Sequence, residues 1–250
     1  QDPCQEGGKQ MSGRPYRLPE TAAQGSRIDR SKTLSFSFDG KKLTGFAGDT
    51  VASAVMASGR KVFGRSFKYH RPRGIIGLGS EEMNALIGVG EEGHKEPNLR
   101  ATQIELYNGL TATSQNRWPN LEFDVGIVNN YLSRLFPGGF YYKTFMWPRS
   151  FWESVYEPII RNAAGLGEAA RERDPDAYEQ MHVHVDVLVV GGGVAGLAAA
   201  EAAAASGRRV MLADENAVLG GVSDIADGTI DGKPQGDWVA AKAAQLSKAG

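Results

Sequence analysis

Cysteine is almost absent from this sequence of 250 residues, which contains one, Cys4. A single thiol excludes an intrachain disulfide and any metal site that needs several cysteine ligands. Long apolar runs are also missing, since none reaches the roughly 18 consecutive residues that a membrane-spanning helix needs. The polar N-terminus lacks the apolar core of a secretory signal. A reducing cytoplasm, with no membrane partner, is therefore the expected location.

An excess of either charge is absent as well. The chain has 28 Lys and Arg against 29 Asp and Glu, which gives a formal net charge of −1 at pH 7. Nucleic acid is therefore not an expected partner. Apolar residues make up 41% of the chain and charged residues 23%, as is typical of a globular protein long enough for two domains.

A short apolar strand over 185–190 runs directly into a glycine-rich turn, and this is the clearest functional signal in the chain. The turn has the pattern Gly-x-Gly-x-x-Gly, formed by Gly191, Gly193 and Gly196. An alanine-rich helix is predicted next, over 197–206. A strand, this turn and a helix in that order are typical of a dinucleotide-binding fold.

A second apolar strand is predicted over 210–213, and it ends in two acids, Asp214 and Glu215. It completes the first βαβ unit of a site for FAD or NAD, between which the pattern alone does not choose. Asp214 lies where a carboxylate accepts hydrogen bonds from ribose hydroxyls. Because an acid repels a 2′-phosphate, NADP is disfavoured. A glycine-rich turn in some other α/β domain is the alternative.

The residues of the turn have distinct predicted roles. Gly191 permits the tight turn, Gly193 lets the backbone approach a pyrophosphate, and Gly196 allows the helix to pack on the strand. The N–H groups around Val194 and Ala195 would face the phosphates, where the helix dipole adds roughly half a positive charge.

Two glycines follow the acids, and they extend the predicted site. Gly221, the second glycine of the sequence Leu-Gly-Gly, is expected to pass close to the same ligand. The predicted cofactor contacts are therefore those of Gly191, Gly193, Val194, Ala195, Gly196, Asp214, Glu215 and Gly221. No metal ligands and no catalytic residues are predicted.

The N-terminal half predicts a β-grasp layout. Alternating strands over 34–38 and 41–46 flank the Asp39-Gly40 turn signal, and a helix over 51–58 follows. The later predicted strands cover 85–89, 102–107 and 111–114. The fold class is therefore α+β followed by α/β.

The predicted division of the chain is a flexible N-terminus (1–26), a β-grasp domain (27–116), an aromatic-rich connector (117–181) and an incomplete dinucleotide-binding domain (182–250). After the two acids only one further helix, over 236–249, is predicted. A doubly wound domain needs more strands. The chain is therefore expected to be a piece of a longer polypeptide, or to receive its missing strands from elsewhere.

Two stretches leave their interpretation open. Between residues 50 and 80 the chain has basic residues and no acid; these are Arg60, Lys61, Arg65, Lys68, Arg71 and Arg73. They predict either a solvated loop or a surface for an anion, such as a flavin phosphate, or for an acidic partner. The aromatic residues of the connector predict packing between domains or, for a few of them, a subunit interface or a cofactor wall.

The phrases SFKYHRPRGI at 66–75 and GLGSEEMNA at 77–85 resemble the α subunit of heterotetrameric sarcosine oxidases. The resemblance covers roughly residues 26–250 and the order of domains. It implies an enzyme that converts sarcosine, oxygen and tetrahydrofolate to glycine, hydrogen peroxide and methylene-tetrahydrofolate. It also implies NAD on this chain, FMN and FAD in the assembled complex, and β, γ and δ subunits as partners.

Relatives in opine dehydrogenase and hydrogen cyanide synthase hold a [2Fe–2S] cluster in a similar domain, through Cys-x4-Cys-x2-Cys and a later cysteine. These positions correspond here to Gly77, Glu82, Ala85 and about Thr102. Because thiolates hold such clusters, none is expected here, and the domain is expected to be structural or an interface and not an electron carrier. A subunit of an opine- or proline-type amine dehydrogenase, or a non-catalytic scaffold, are the alternative functions.

Overall fold

The computed structural model describes residues 16–19, 28–135, 147–163, 166–216, 218–224 and 228–249. Most of the predicted flexible N-terminus lies outside these ranges, as does Cys4. The chain forms two compact units, residues 1–176 and 177–250.

Unit 1 (residues 1–176) is built on a mixed five-stranded sheet. Its strands are β1 (Asp29–Phe38), β2 (Lys41–Ala47), β3 (Gly64–Arg65), β4 (Pro72–Arg73), β5 (Leu86–Val89), β6 (Glu96–Arg100) and β7 (Thr111–Ser114). The sheet has the order β2-β1-β7-β5-β6, in which β1 and β7 are parallel and the other neighbours antiparallel. Strands β3 and β4 form a separate antiparallel ribbon. The mixed sheet agrees with the predicted β-grasp layout.

The first hairpin and helix form where the sequence predicts them. Asp39 and Gly40 both have positive φ, 50° and 73°, which is the backbone of the tight turn that joins β1 to β2. Helix α1 (Val51–Ala57) begins with a capping box, in which Thr50 and Ser53 each accept a backbone N–H from the other. The helix packs its valines and alanines on the sheet.

Buried apolar side chains from the sheet, α1 and the following loops form one continuous core in unit 1. Its members are Phe36, Phe38, Val51, Ala52, Ala54, Val55, Phe63, Ala85, Ile87, Val89, Ala101, Leu106, Leu110, Ala112 and Leu121. Phe38 and Phe63 meet edge to face, with ring centroids 5.9 Å apart.

The prediction of a strand over 102–107 is wrong. Those residues form turns, with a single bridge from Glu105 to Thr50, and the strand is β6, over Glu96–Arg100. Pro97 and Asn98 hide β6 from a propensity argument, because both residues are depleted in strands. As β6 is the outermost strand, its outer edge donates no ladder hydrogen bonds and can accommodate proline.

The described part of the connector contains two short helices, α2 (Val128–Tyr131) and α3 (Glu157–Ala163). Most of its described aromatic side chains are exposed; they include Trp118, Phe123, Tyr131, Trp147, Phe151 and Trp152. Packing between domains and the other interpretations of these aromatics stay predictions for the described residues. Phe136, Phe140 and the residues up to 146 lie outside them.

Several residues of the basic stretch (60–73) form contacts within unit 1. Arg65 has a largely buried side chain that donates to the carbonyls of His70 and Leu121. His70 Nδ1 lies 2.6 Å from the carboxylate of Asp124, whose side chain is fully buried. Arg71 stacks on the ring of Tyr69 and donates to a connector asparagine. These contacts tie the stretch to the connector, a role that neither open interpretation included.

Unit 2 (residues 177–250) contains paired strands and two helices in its described part. Its elements are strand β8 (Val187–Val190), helix α4 (Val194–Ala205), strands β9 (Val210–Ala213), β10 (Thr229–Ile230) and β11 (Lys233–Pro234), and helix α5 (Gln235–Ala249). Leu197 of α4 is buried with Trp238 and Val239 of α5, and Glu201 accepts hydrogen bonds from Lys242 and Gln245 across the two helices. No helix among the residues described is long and apolar enough to cross a membrane.

Candidate dinucleotide-binding site

Two parallel strands of unit 2 position the glycine-rich turn. β8 pairs with β9 in a register that places Val187 beside Val210 and Val190 beside Ala213. At the start of the pair, Arg209 donates to both carboxylate oxygens of Asp186, at 3.0 Å and 2.9 Å. The strand therefore begins two residues later than predicted, and both strands end at the same edge. This edge is where open α/β sheets bind their ligands.

Gly191 has the backbone conformation that its predicted role requires. Its φ is +105°, a region that residues with a side chain rarely adopt, and its N–H donates to the Ala213 carbonyl at 2.8 Å. The chain thereby leaves β8 in a tight turn that is still tied to β9.

Gly196 packs α4 against this turn. A Cβ atom at Gly196 would lie 1.7 Å from the carbonyl oxygen of Gly191, so only glycine fits without movement of the backbone. The helix begins at Val194, three residues earlier than predicted, and it includes Gly196 in its first turn. Close packing outweighs the low helix propensity of glycine here.

Gly193 has the opposite surroundings. It precedes the first helical residue, its φ is an ordinary −70°, and no side chain caps the helix. A Cβ atom at this position would meet nothing within 4 Å. The start of α4 is therefore open beside Gly193, while the side chain of Val194 packs against the core of unit 2. Backbone N–H groups at such a helix start are well suited to bind a phosphate.

The second glycine pair, Gly220 and Gly221, lies against the first turn. Gly220 N–H donates to the carbonyl of Gly192 at 2.9 Å, and a Cβ atom at Gly221 would lie 3.7 Å from the Cα of Gly193. Gly192 is itself confined, because its Cβ would lie 2.4 Å from the side chain of Leu219. The sequence pattern treats Gly192 as a variable position and so did not identify this requirement.

Asp214 is held at the end of β9 by the same turn. One carboxylate oxygen accepts the N–H of Gly192, and the other accepts both N–H and Nδ2 of Asn216, at 2.7 Å and 2.9 Å. The Gly192 N–H and then the Asn216 donors lower the pKa of Asp214, which favours its ionised form. A carboxylate has about four acceptor positions, so one remains on the oxygen that faces Gly192. Glu215 is exposed.

The arrangement brings together all the residues predicted to contact a cofactor except Glu215, which lies at the exposed rim. It offers N–H donors at a helix start, a gap without side chains beside them, and an ionised carboxylate next to the gap. The N–H donors and the gap match the pyrophosphate of a dinucleotide, and the carboxylate matches its ribose.

Two family models match the chain. Residues 31–117 match the 2Fe-2S iron-sulfur cluster binding domain, and residues 186–243 match the FAD dependent oxidoreductase. The predicted fold class, a ferredoxin-like domain before a dinucleotide-binding region, is confirmed at this level.

Curated relatives carry the predicted family name. The chain is 56% identical to the sarcosine oxidase subunit alpha of Rhizobium meliloti (strain 1021), over 89% of this chain and 22% of that protein. It is 37% identical to the same subunit of Corynebacterium sp. (strain P-1), over 94% of this chain and 20% of that protein. The predicted resemblance is therefore confirmed. The chain spans about a fifth of the length of these relatives.

A solved structure gives a looser match. It is the crystal structure of L-proline dehydrogenase from P. horikoshii. The match covers 90% of this chain and 34% of the dehydrogenase chain, with 19% sequence identity and a TM-score of 0.47. A match this loose carries no information about how this chain works.

The residues of unit 1 do not fit an iron–sulfur cluster, although the family model names one. The positions of the cysteine ligands are occupied by Gly77, Glu82, Ala85 and Thr102, none of which provides a thiolate. A Cβ atom at Gly77 would lie 2.8 Å from the Glu81 carbonyl, so the loop leaves no room for a ligating side chain there. Within the described residues no three His, Cys, Asp or Glu converge on a metal position.

Proposed function

We propose that this chain is the dinucleotide-binding segment of a sarcosine oxidase α subunit and that it holds NAD at the Gly191–Gly196 turn. Its similarity to the alpha subunits of two bacterial genera supports the family. The observation that carries the ligand class is the open, uncapped helix start at Gly193. Without a ligand, its N–H groups have only water to bind.

The proposed contacts divide between the two halves of the ligand. The backbone N–H groups of Val194 and Ala195 would bind the pyrophosphate, while Gly193 and Gly221 leave it space. Asp214 would accept a ribose hydroxyl, with Glu215 as a second acid at the rim. A bound nicotinamide or flavin supplies hydride-transfer chemistry, and this chain contributes binding of the ADP half that NAD and FAD share.

For the full-length protein we propose the activity for which its relatives are named, that of a sarcosine oxidase. Sarcosine would be oxidised by two electrons, dioxygen would be reduced to hydrogen peroxide, and the one-carbon unit would pass to tetrahydrofolate, leaving glycine. The proposed complex contains β, γ and δ subunits with FMN and FAD, and it works in the cytoplasm. No residue of this segment is proposed to be catalytic.

The cofactor can be identified directly. The full-length chain is purified with its co-expressed partners, its absorbance is recorded from 300 to 550 nm, and the released small molecules are identified by mass spectrometry. NAD on this chain, with flavin only on a partner, would support the proposal. FAD released from this chain would replace NAD as the ligand, and the absence of any nucleotide would contradict a binding role.

A substitution at Gly193 tests whether the turn is the binding position. Gly193→Val should fold, because its φ is ordinary and the surroundings of its Cβ are open, but its methyl groups would occupy the pyrophosphate position. The matched control is Gly236→Val, at another glycine with nothing within 4 Å of its Cβ. We expect dinucleotide to be lost from the first variant and retained by the second. Equal retention would place the ligand elsewhere.

Oxygen consumption distinguishes the proposed activity from its alternatives. The assembled complex should consume oxygen and release hydrogen peroxide when sarcosine is added. Reduction of an added electron acceptor, without oxygen uptake, would indicate a dehydrogenase of the opine or proline type. Assembly that survives in Gly193→Val without any ligand would show that the ligand is dispensable for assembly.

A further inference from the structure

Unit 1 matches a 2Fe-2S cluster binding domain, but its loop at the positions of the cluster ligands contains no cysteine. In such domains the cluster is an anion, and backbone N–H groups of the loop donate hydrogen bonds to its sulfur atoms. A loop that loses this anion would leave several buried N–H groups unsatisfied, which is costly. Some other acceptor must therefore satisfy them here.

That acceptor is a single carboxylate. Glu82 occupies the second ligand position, and it is 1% exposed. One of its oxygens accepts the N–H groups of Ile76 and Gly77, both at 2.8 Å. The other accepts those of Asn84 and Ala85, at 2.6 Å and 3.1 Å. Two of these donors, Gly77 and Ala85, belong to the first and third ligand positions.

The fourth ligand position is tied to the same loop. Thr102 Oγ1 donates to the carbonyl oxygen of Gly79 at 2.6 Å, and the N–H of the preceding Ala101 donates to the carbonyl of Ala85 at 3.0 Å. All four former ligand positions thus take part in one hydrogen-bonded cage around Glu82.

We propose that the Glu82 carboxylate replaces the iron–sulfur cluster as the anion around which this loop folds. The charge is balanced by four backbone dipoles, and all four of the donors to the carboxylate are main-chain N–H groups. The charged neighbour from the adjacent strand, Arg100, donates from Nε to the main-chain carbonyl of Glu82 at 3.0 Å, and not to its carboxylate.

The cage explains why the loop needs no metal. A cluster is assembled onto a chain from outside, whereas a glutamate arrives with the chain, so the loop can close as soon as unit 1 folds. Glu82 is therefore a positioning residue, and the proposal does not depend on what unit 2 binds.

Amide hydrogen exchange of the full-length chain tests the cage residue by residue. In Glu82→Gln the side chain keeps its size, but an NH₂ group replaces one acceptor and faces N–H donors. We expect exchange at Ile76, Gly77, Asn84 and Ala85 to become roughly tenfold faster or more, since hydrogen bonds to charged groups are the stronger ones. Amides of the exposed-glutamate control, Glu81→Gln, should exchange at the wild-type rate.

Two outcomes would overturn the proposal. Unchanged exchange at those four amides in Glu82→Gln would show that the carboxylate does not organise the loop. Iron and acid-labile sulfide in the purified full-length chain, at the stoichiometry of a cluster, would show that a cluster is bound after all.

A measurement on the wild-type chain covers the case in which Glu82→Gln does not fold. As the pH falls and the carboxyl group protonates, the four amides should lose protection before the core amides of β1 do, after correction for intrinsic exchange rates. Loss of protection at the same pH for the four loop amides and for the core amides of β1 would contradict the proposal.

Discussion

Two loops of this chain gather backbone N–H groups, and they differ in whether a side chain of the chain itself accepts those groups. In unit 1 four N–H groups converge on Glu82, which is 1% exposed. In unit 2 the first turn of α4 has no capping side chain, and the space beside Gly193 is open. The first loop supplies its own anion, whereas the second leaves that position for the proposed ligand.

The hydrophobic cores beneath the two loops also differ, and unit 1 has the larger one. Unit 1 has a continuous core under its loop, while the buried apolar residues in the described part of unit 2 are Leu197, Ala200, Trp238 and Val239. On β8, Leu188 is 56% exposed and Val190 79%, so the described residues leave one face of this strand uncovered. A ligand at 100 times its Kd stabilises a fold by about 2.7 kcal/mol. Dinucleotide binding would therefore matter more to unit 2 than to unit 1.

The largest effect on stability should come from the core of unit 1. Phe63→Ala removes a fully buried ring that contacts Phe38, so it should lower the free energy of unfolding by about 3–5 kcal/mol. Denaturant titration of the chain measures this loss. The control is Phe67→Ala, at a phenylalanine that is 42% exposed, which should cost far less. Similar losses in both variants would show that the core is not as packed as described.

The next largest effect should fall on the turn of unit 2. Gly196→Ala places a methyl group 1.7 Å from the Gly191 carbonyl oxygen, so the turn must open, at a cost of about 3 kcal/mol. Limited proteolysis should cleave unit 2 of this variant faster while unit 1 is unaffected. Gly236→Ala, in the open first turn of α5, should resist cleavage like the wild type. Equal cleavage of both variants would refute the close packing of α4.

How far the sequence reveals each loop depends on whether its signal is local. The dinucleotide turn could be predicted to within a few residues, because each glycine satisfies a requirement of its own neighbours: Gly191 a positive φ, Gly196 a close approach. The hairpin at Asp39 and the capping box at Thr50 are local in the same way.

The features that the sequence did not reveal depend on contacts between distant residues. Glu82 is recognisable from the sequence only as a missing cysteine, since its role requires four N–H groups that meet only after the loop closes. The edge strand β6 was missed because Pro97 is tolerated only when the strand lies at the edge, which is a property of the whole sheet. Likewise, His70 could not be paired with Asp124, which is 54 residues away.

A smaller effect should separate the two acids at the end of β9. Asp214→Asn should weaken dinucleotide binding by roughly tenfold or more, because a hydrogen bond from a ribose to a charged acceptor is lost. Glu215→Gln, at the exposed neighbour, should weaken it less. Calorimetric titration of the stripped full-length protein with NAD and with FAD measures both. A larger loss in Glu215→Gln would assign the ribose contact to Glu215 instead.

The smallest expected effect is a difference in acid sensitivity between the loops. Burial raises the pKa of Glu82, but its four backbone N–H donors together lower the pKa by more than burial raises it. The net pKa therefore lies below the ordinary value of a glutamate. A group with a lowered folded pKa contributes stability that is complete above its unfolded pKa, about 4.3 for glutamate. That contribution is lost as the pH falls through the folded pKa.

The comparison between wild type and Glu82→Gln isolates this contribution. The free energy of unfolding of the wild type should fall between about pH 5 and the folded pKa of Glu82, and the same curve should be flatter in the variant. Asp214 also has a lowered pKa, but it is less enclosed, so Asp214→Asn should change the curve less. Parallel curves for wild type and Glu82→Gln would mean that the loop of unit 1 does not depend on its own anion. The contrast between a loop that supplies its anion and one that binds it from solution would then not hold.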